Sequence, residues 1–174
     1  MNRKIFYITI IEFLFATILF GKTISSGEYH NMVITTNTTY VGFGANHYAQ
    51  TDADYCENQY DYCNYVPENL SELISVSAGY EHSLALQSDG SVVAWGRNLW
   101  GETTVPANLQ AIAVESGYGH SLALKSDGSV VAWGKNDYGQ CNVPDGLTDV
   151  VQIASGAHFN LALKSNGTIV AWGQ

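Results

Sequence analysis

Positive charge is scarce in this chain. Its 174 residues carry 7 Lys and Arg against 16 Asp and Glu, a net charge of −9, and no cation falls between Lys22 and Arg97. Phosphate backbones are held by clustered cations, so nucleic acid is excluded as a direct ligand. An acidic surface instead suits a basic protein partner, or solubility alone. Charged residues of both signs make up only 13% of the chain, a low share for a soluble domain. Catalytic signatures are missing as well. There is no G-x-S-x-G elbow, no H-E-x-x-H, no phosphate-binding loop and no dinucleotide fingerprint, so neither an enzyme nor a cofactor is implied.

Long apolar runs are also lacking, with one exception. Ile5 to Phe20 is an apolar stretch of 16 residues interrupted by Glu12, too short and too polar at its centre for a stable membrane span. Arg3 and Lys4 precede it, so residues 1–26 read as a secretory signal cleaved near Gly21 to Ser26. An uncleaved N-terminal anchor is the competing reading. The expected location is secreted: extracellular or periplasmic.

What the chain does have is repetition. HSLALQSDGSVVAWGRNLWGETTVP from His82 returns as HSLALKSDGSVVAWGKNDYGQCNVP from His120 and, shortened, as NLALKSNGTIVAWGQ from Asn160. Aligned on Gly79, Gly117 and Gly156, the steps are 38 and 39 residues. A period of that length marks units that bury their apolar faces only against neighbours. Within a unit, His82, Leu84 and Leu86 alternate with Ser83, Ala85 and Gln87, the pattern of a strand. Asp89-Gly90, Asp127-Gly128 and Asn166-Gly167 predict tight hairpins with two left-handed positions each. The β-branched and aromatic return strand Ser91 to Trp95 follows. The apolar stretch Leu109 to Gly117 predicts a third strand leading into the next unit.

An eroded copy lies upstream. Gly27, His30, Met32, Ile34, Val41, Phe43, Gly44, Asn46 and Tyr48 keep the order and spacing of Gly79 through Trp100. Gly27 stands 52 residues before Gly79, so this unit carries 14 extra residues, placed at 51–65. The expected architecture is all-β: a partial or small β-propeller of about four units with short antiparallel blades, the fourth truncated at the C-terminus. The degenerate first repeat spans 27–78, and three repeats span 79–174. After Trp172-Gly173 no further turn, Val-Pro or connecting strand follows. That leaves three expectations: part of a longer propeller or an open arc, a small ring closed by a Thr23 to Ser26 strand, or a shared ring in a homodimer. Open blade edges would favour self-association.

The frame G-x-x-H-S-L-A-L-x-x-D-G-x-V-x-A-W-G-x-N-x-x-G-Q-x-x-V-P resembles the regulator of chromosome condensation repeat in its short bacterial form. It is most similar to secreted propellers such as the β-lactamase inhibitory protein of that fold. The resemblance covers Gly27 to Gln174 and implies a β-propeller with a protein-binding role. It does not fix the function, because one scaffold serves several. An intracellular nucleotide-exchange regulator of a small GTPase is the second reading, and a glycan-binding module a third.

Candidate binding residues are the aromatics at two recurring loop positions. Tyr48, Trp100 and Tyr138 follow the Asn of the W-G-x-N turn, and Tyr29, Tyr80 and Tyr118 follow the unit-opening glycine. Outward Tyr and Trp are usual interface anchors; packing against the adjacent blade is the alternative. Cys56 and Cys63 lie together in the insertion and predict a small disulfide loop in an oxidising compartment, with Cys141 left over as a half-exposed strand residue. The acidic insertion is not an EF-hand. Counting from Asp52, position six is Glu57 instead of Gly and position twelve is Cys63 instead of Glu. His30, His82 and His120 recur at one blade position, but the last copy has Phe159 there and no carboxylate or thiol recurs beside them. The expectation is a buried imidazole bonded to a backbone group, not a metal ring.

Overall fold

A computed structural model describes residues 24–28, 30–34, 40–44, 67, 70 and 72–174. The segment 1–23, Tyr29, Tyr48 and the insertion with Cys56 and Cys63 lie outside the described residues. Among the described residues twelve strands form four antiparallel sheets. The first comprises β1 (Ile24–Ser26), β2 (His30–Ile34) and β3 (Tyr40–Gly44). The second holds β4 (Leu73–Ala78), β5 (His82–Gln87) and β6 (Val92–Gly96). The third holds β7 (Ala113–Ser116), β8 (His120–Leu124) and β9 (Val130–Gly134), and the fourth β10 (Val150–Ser155), β11 (Phe159–Lys164) and β12 (Ile169–Gly173). Each sheet is one blade, with the first strand of the sequence unit at its centre.

Blade and sequence unit are out of phase. The first strand of each blade precedes the unit-opening glycine, so β4 and β10 belong in sequence to the units before them. The last unit, short as it is, therefore still completes a three-stranded blade. The same phase explains β1. Ile24–Ser26 pairs with β2, Ser25 opposite Met32, and is the inner strand of the first blade, not a strand closing the last.

The hairpins differ from the expected two-residue turns. Gln87 N–H donates to the Ser91 carbonyl and Gly90 N–H to the Gln87 carbonyl, both at 3.0 Å. The loop thus has three residues, and only its glycine is left-handed, Gly90 at φ 86°. The reason is Asp89: its carboxylate accepts the Ser91 N–H at 2.9 Å and the Ser91 hydroxyl at 2.6 Å. That Asx turn holds the aspartate right-handed. The bonding recurs at Lys125–Ser129 and Lys164–Thr168.

Core forms between blades, not within them. Met32 of the first blade packs with Val76, Ala85 and Trp95 of the second. Leu84 and Leu86 of the second pack with Val114, Ala123 and Trp133 of the third. Leu122 and Leu124 of the third pack with Ile153, Ala162 and Trp172 of the fourth. The second and third blades thus each offer a His-Leu-Leu face forward and a Ser-Ala-Trp face backward. The fourth blade's forward face holds Phe159 and Leu161, 43% and 36% exposed, where His120 and Leu122 are fully buried.

Candidate functional site

The recurring histidines bond side chains of the next blade, and His82 also keeps the expected backbone bond, to His120. They bridge blades. His30 Nε2 meets Ser83 Oγ at 2.9 Å, His82 Nε2 meets Ser121 Oγ at 3.1 Å, and His120 Nε2 donates to Asn160 Oδ1 at 2.7 Å. The Ser121 hydroxyl donates to the Glu102 carbonyl at 2.8 Å, so its oxygen accepts from His82, which fixes the Nε2–H tautomer. Burial lowers the pKa of His30 to about 4 and, helped by the nearby His120 and His30, that of His82 to about 3. All three rings are neutral struts.

These rings explain the glycines that open each unit. A Cβ on Gly79 would lie 2.5 Å from His82 Cε1 and 2.7 Å from the Gly117 carbonyl oxygen. Only glycine lets the loop pass between its own imidazole and the next blade. The four glycine loops surround an open hollow of about 250 Å³. Serines and glycines form most of it, with Glu28, Tyr80 and Tyr118 at its wall.

Tyr80 and Tyr118 also begin an aromatic band that runs across three blades. Their ring centroids are 4.1 Å apart. Trp100 stands 6.1 Å from Tyr118, and His158 lies 5.4 Å from Tyr118 and 4.8 Å from Tyr138. Four of the six aromatics singled out in the sequence thus share one end of the molecule; Tyr29 and Tyr48 lie outside the described residues. Sequence reasoning missed the cations that join them. The Arg97 guanidinium sits 4.1 Å from the Trp100 ring centre and the Lys135 ammonium 4.3 Å, distances typical of cation–π contacts. Glu81 pairs with Arg97 at 2.8 Å and Asp137 with Lys135 at 3.4 Å. The available signal was position: both cations directly follow a Trp-Gly, in a chain with few cations. Trp100 is half-buried against Gly119, where a Cβ would fall 2.5 Å from its ring, whereas Tyr138 is 46% exposed.

A polar plug supports the crest from below. Glu102 is 1% exposed, and its carboxylate accepts the Trp100 N–H at 2.7 Å. In the next blade Gln140, fully buried, does the same for Tyr138 at 2.9 Å. Their carbonyls accept the indole N–H of Trp133 and Trp172, each at 3.0 Å. Cys141 stands beside this plug in a turn instead of a strand. It is free, and burial pushes its thiol up to about 11.

The repeat frame with its inter-blade struts settles the kinship. Residues 73–99, 111–140 and 150–174 each match the regulator of chromosome condensation (RCC1) repeat. The chain belongs to that repeat family. It is 31% identical over 86 residues to the Ultraviolet-B receptor UVR8 of Arabidopsis thaliana, a stretch covering 48% of this chain and 19% of the receptor. Among solved structures, Prp20p of Saccharomyces cerevisiae superposes with a TM-score of 0.72 at 18% identity, over 86% of this chain and 44% of that one. The CRINKLY ectodomain of the Arabidopsis thaliana receptor kinase ACR4 gives 0.66 at 21% identity, over 86% and 49%. The chain therefore spans less than half the length of these relatives, and at such identities the structures speak for the fold alone.

Within the RCC1 frame, Glu102 stands where the next repeat has Gln140, and burial holds its carboxyl above the usual carboxylate range. A raised carboxyl pKa stabilises the fold below the ordinary value and loses that contribution as pH rises through the folded value. At neutral pH the buried charge is a cost. Glu102→Gln is therefore expected to gain about 1 kcal/mol at pH 7, and less near pH 4.5. Urea unfolding of both proteins at the two pH values measures the difference.

Proposed function

We propose that this chain is a non-enzymatic, exported protein-binding module that engages its partner through the crest of Tyr80, Trp100, Tyr118 and Tyr138. The observation that supports this is the continuity of the band: four aromatics from successive repeats, with Arg97, Lys135 and His158 between them, at one end of the blade stack. Rigid aromatic anchors among polar groups are the usual composition of interface hot spots. RCC1-repeat proteins are typically regulators and binders, which fits the same reading.

Tyr138 tests it most cleanly because its ring is the most exposed of the four. Tyr138→Ala is expected to reduce partner capture by about 2 kcal/mol, the scale of a hot-spot aromatic, while the melting temperature stays within about a degree of the parent. Affinity capture from the native fluid, with the two proteins side by side, reads the first; a thermal melt reads the second. Loss of melting temperature without loss of capture would make the ring a blade-packing residue.

Export carries its own test. Ser25 of β1 is buried and accepts the Ala78 N–H at 2.9 Å, so a cleavage that preserves the first blade falls before Ile24. N-terminal sequencing of the native protein is expected to start at Lys22, Thr23 or Ile24, and an intact Met1 on cytosolic protein would oppose export. A second reading, a nucleotide-exchange-type regulator of a small GTPase, draws support from the fold likeness to yeast Prp20p, a protein described by its binding to Gsp1p and histones. Capture of a GTPase from cytosol would favour it.

A further inference from the structure

We propose that the axial hollow is a subsite for one lysine or arginine side chain presented by a protein partner; the inference rests on the protein-binding reading of this end of the molecule. It follows from where the hydrogen-bonding groups point. The N–H groups of Gly27, Gly79, Gly117 and Gly156 donate to the carbonyls of His30, His82, His120 and Phe159 within their own hairpins. The N–H groups of Tyr80 and Tyr118 donate to the carbonyls of Gly117 and Ala157 in the next blade. Those of Ala78 and Ser116 go to the hydroxyls of Ser25 and Ser77. These eight backbone donors are thus consumed by the blade stack.

Acceptors are what face the hollow. Each carbonyl oxygen keeps a second lone pair. The Ser116 hydroxyl spends its proton on the Ser77 carbonyl at 3.1 Å, so its oxygen presents lone pairs too. Glu28, exposed on the wall, adds a carboxylate. Tyr80 and Tyr118 add electron-rich rings to the wall, and such rings attract cations. Among the described residues no lysine or arginine lines the hollow; Arg97 and Lys135 lie over the Trp100 ring at the crest, and the Lys135 ammonium also stands 5.3 Å from the Tyr118 ring centre, on the crest side. A cavity built this way rejects carboxylates and phosphates and suits a group that only donates: an ammonium with three N–H bonds or a guanidinium with five. At about 250 Å³ it is smaller than sites that enclose drug-sized ligands, and it has room for one side chain rather than a folded segment. The net charge of −9 steers such a group inward.

The full chain can be titrated with capped Gly/Ser peptides bearing one central arginine, or in its place citrulline or glutamate, following the Tyr80 and Tyr118 ring resonances by NMR. The arginine peptide is expected to bind and to weaken with added salt, and the citrulline and glutamate peptides to leave the rings unmoved. Ala157→Lys sets a resident ammonium at the rim from an exposed position and is expected to weaken the arginine peptide about tenfold, the scale of one charge-assisted contact. Glu28→Gln is a second, isosteric variant with the same expected direction. Equal binding of citrulline and arginine peptides, no binding of either, or full affinity in both folded variants would overturn the assignment. A chain that still captures a protein through Tyr138 but ignores the arginine peptide retains the proposed function and loses this subsite.

Discussion

Trp133→Ala is expected to destabilise the chain by about 3–5 kcal/mol, the range for removing a buried tryptophan. The ring is 8% exposed and fills the interface between the second and third blades, against Leu84, Leu86 and Val114. Its indole N–H also satisfies the Glu102 carbonyl at 3.0 Å, directly beneath the Trp100 crest. Truncation leaves a cavity that two stacked sheets cannot collapse to fill, and it removes one of the two bonds held by that carbonyl. Trp133→Phe separates the contributions: it keeps most of the packing and forfeits the hydrogen bond, worth about 1 kcal/mol. Urea unfolding of the two variants beside the parent measures both. A loss below about 1 kcal/mol for the alanine variant would mean that the stability does not reside between the blades.

Acid is expected to unstack the blades well above the pH at which carboxylates protonate. A histidine whose folded pKa lies below its ordinary 6.5 contributes stability at neutral pH that is lost as pH falls through the folded value. For His30, held down to about 4, that loss is on the order of 3 kcal/mol at 1.36 kcal/mol per pKa unit. His82, held to about 3, goes on losing stability lower still. The carboxylates cannot account for the upper part of this window. Ser91 holds Asp89 below its ordinary range and Ser129 holds Asp127 to about 2, so both act only below the ordinary 3.8. Unfolding free energies at pH 7, 6, 5 and 4 should therefore fall steadily, and His30→Gln should flatten the decline. A profile that stays level to pH 4 in the parent would show that the imidazoles are not sealed from protons.

The strands and their stacking were legible because each unit repeats the same alternation, and three copies vote on every position. The hairpins were half legible. Asp-Gly announces a turn, but its type depends on the Ser91 and Ser129 side chains, which lie just past the loop and add a residue to it. The histidine bridges were hidden by distance: His30 and Ser83 are 53 residues apart, His82 and Ser121 39. The clue was one column away, since Asn31, Ser83, Ser121 and Asn160 each follow the blade position held by His30, His82, His120 and Phe159. The crest was legible as aromatic positions but not as a continuous band. Arg97 and Lys135 join the band only because the turn after each Trp-Gly folds them over Trp100.

Because the second and third blades each carry a His-Leu-Leu knob on one face and a matching Ser-Ala-Trp socket on the other, every copy made in register arrives with a fitting neighbour on both sides. A duplication or deletion of one whole period leaves no mismatched seam, whereas a change of half a period would set knob against knob. Length in this lineage can therefore drift by whole blades at little risk to folding, and the curvature, the span of the crest and the width of the axial hollow drift with it. Sequence divergence is free to concentrate at the loop tips between the paired faces, where a new partner can be met without disturbing a single strut.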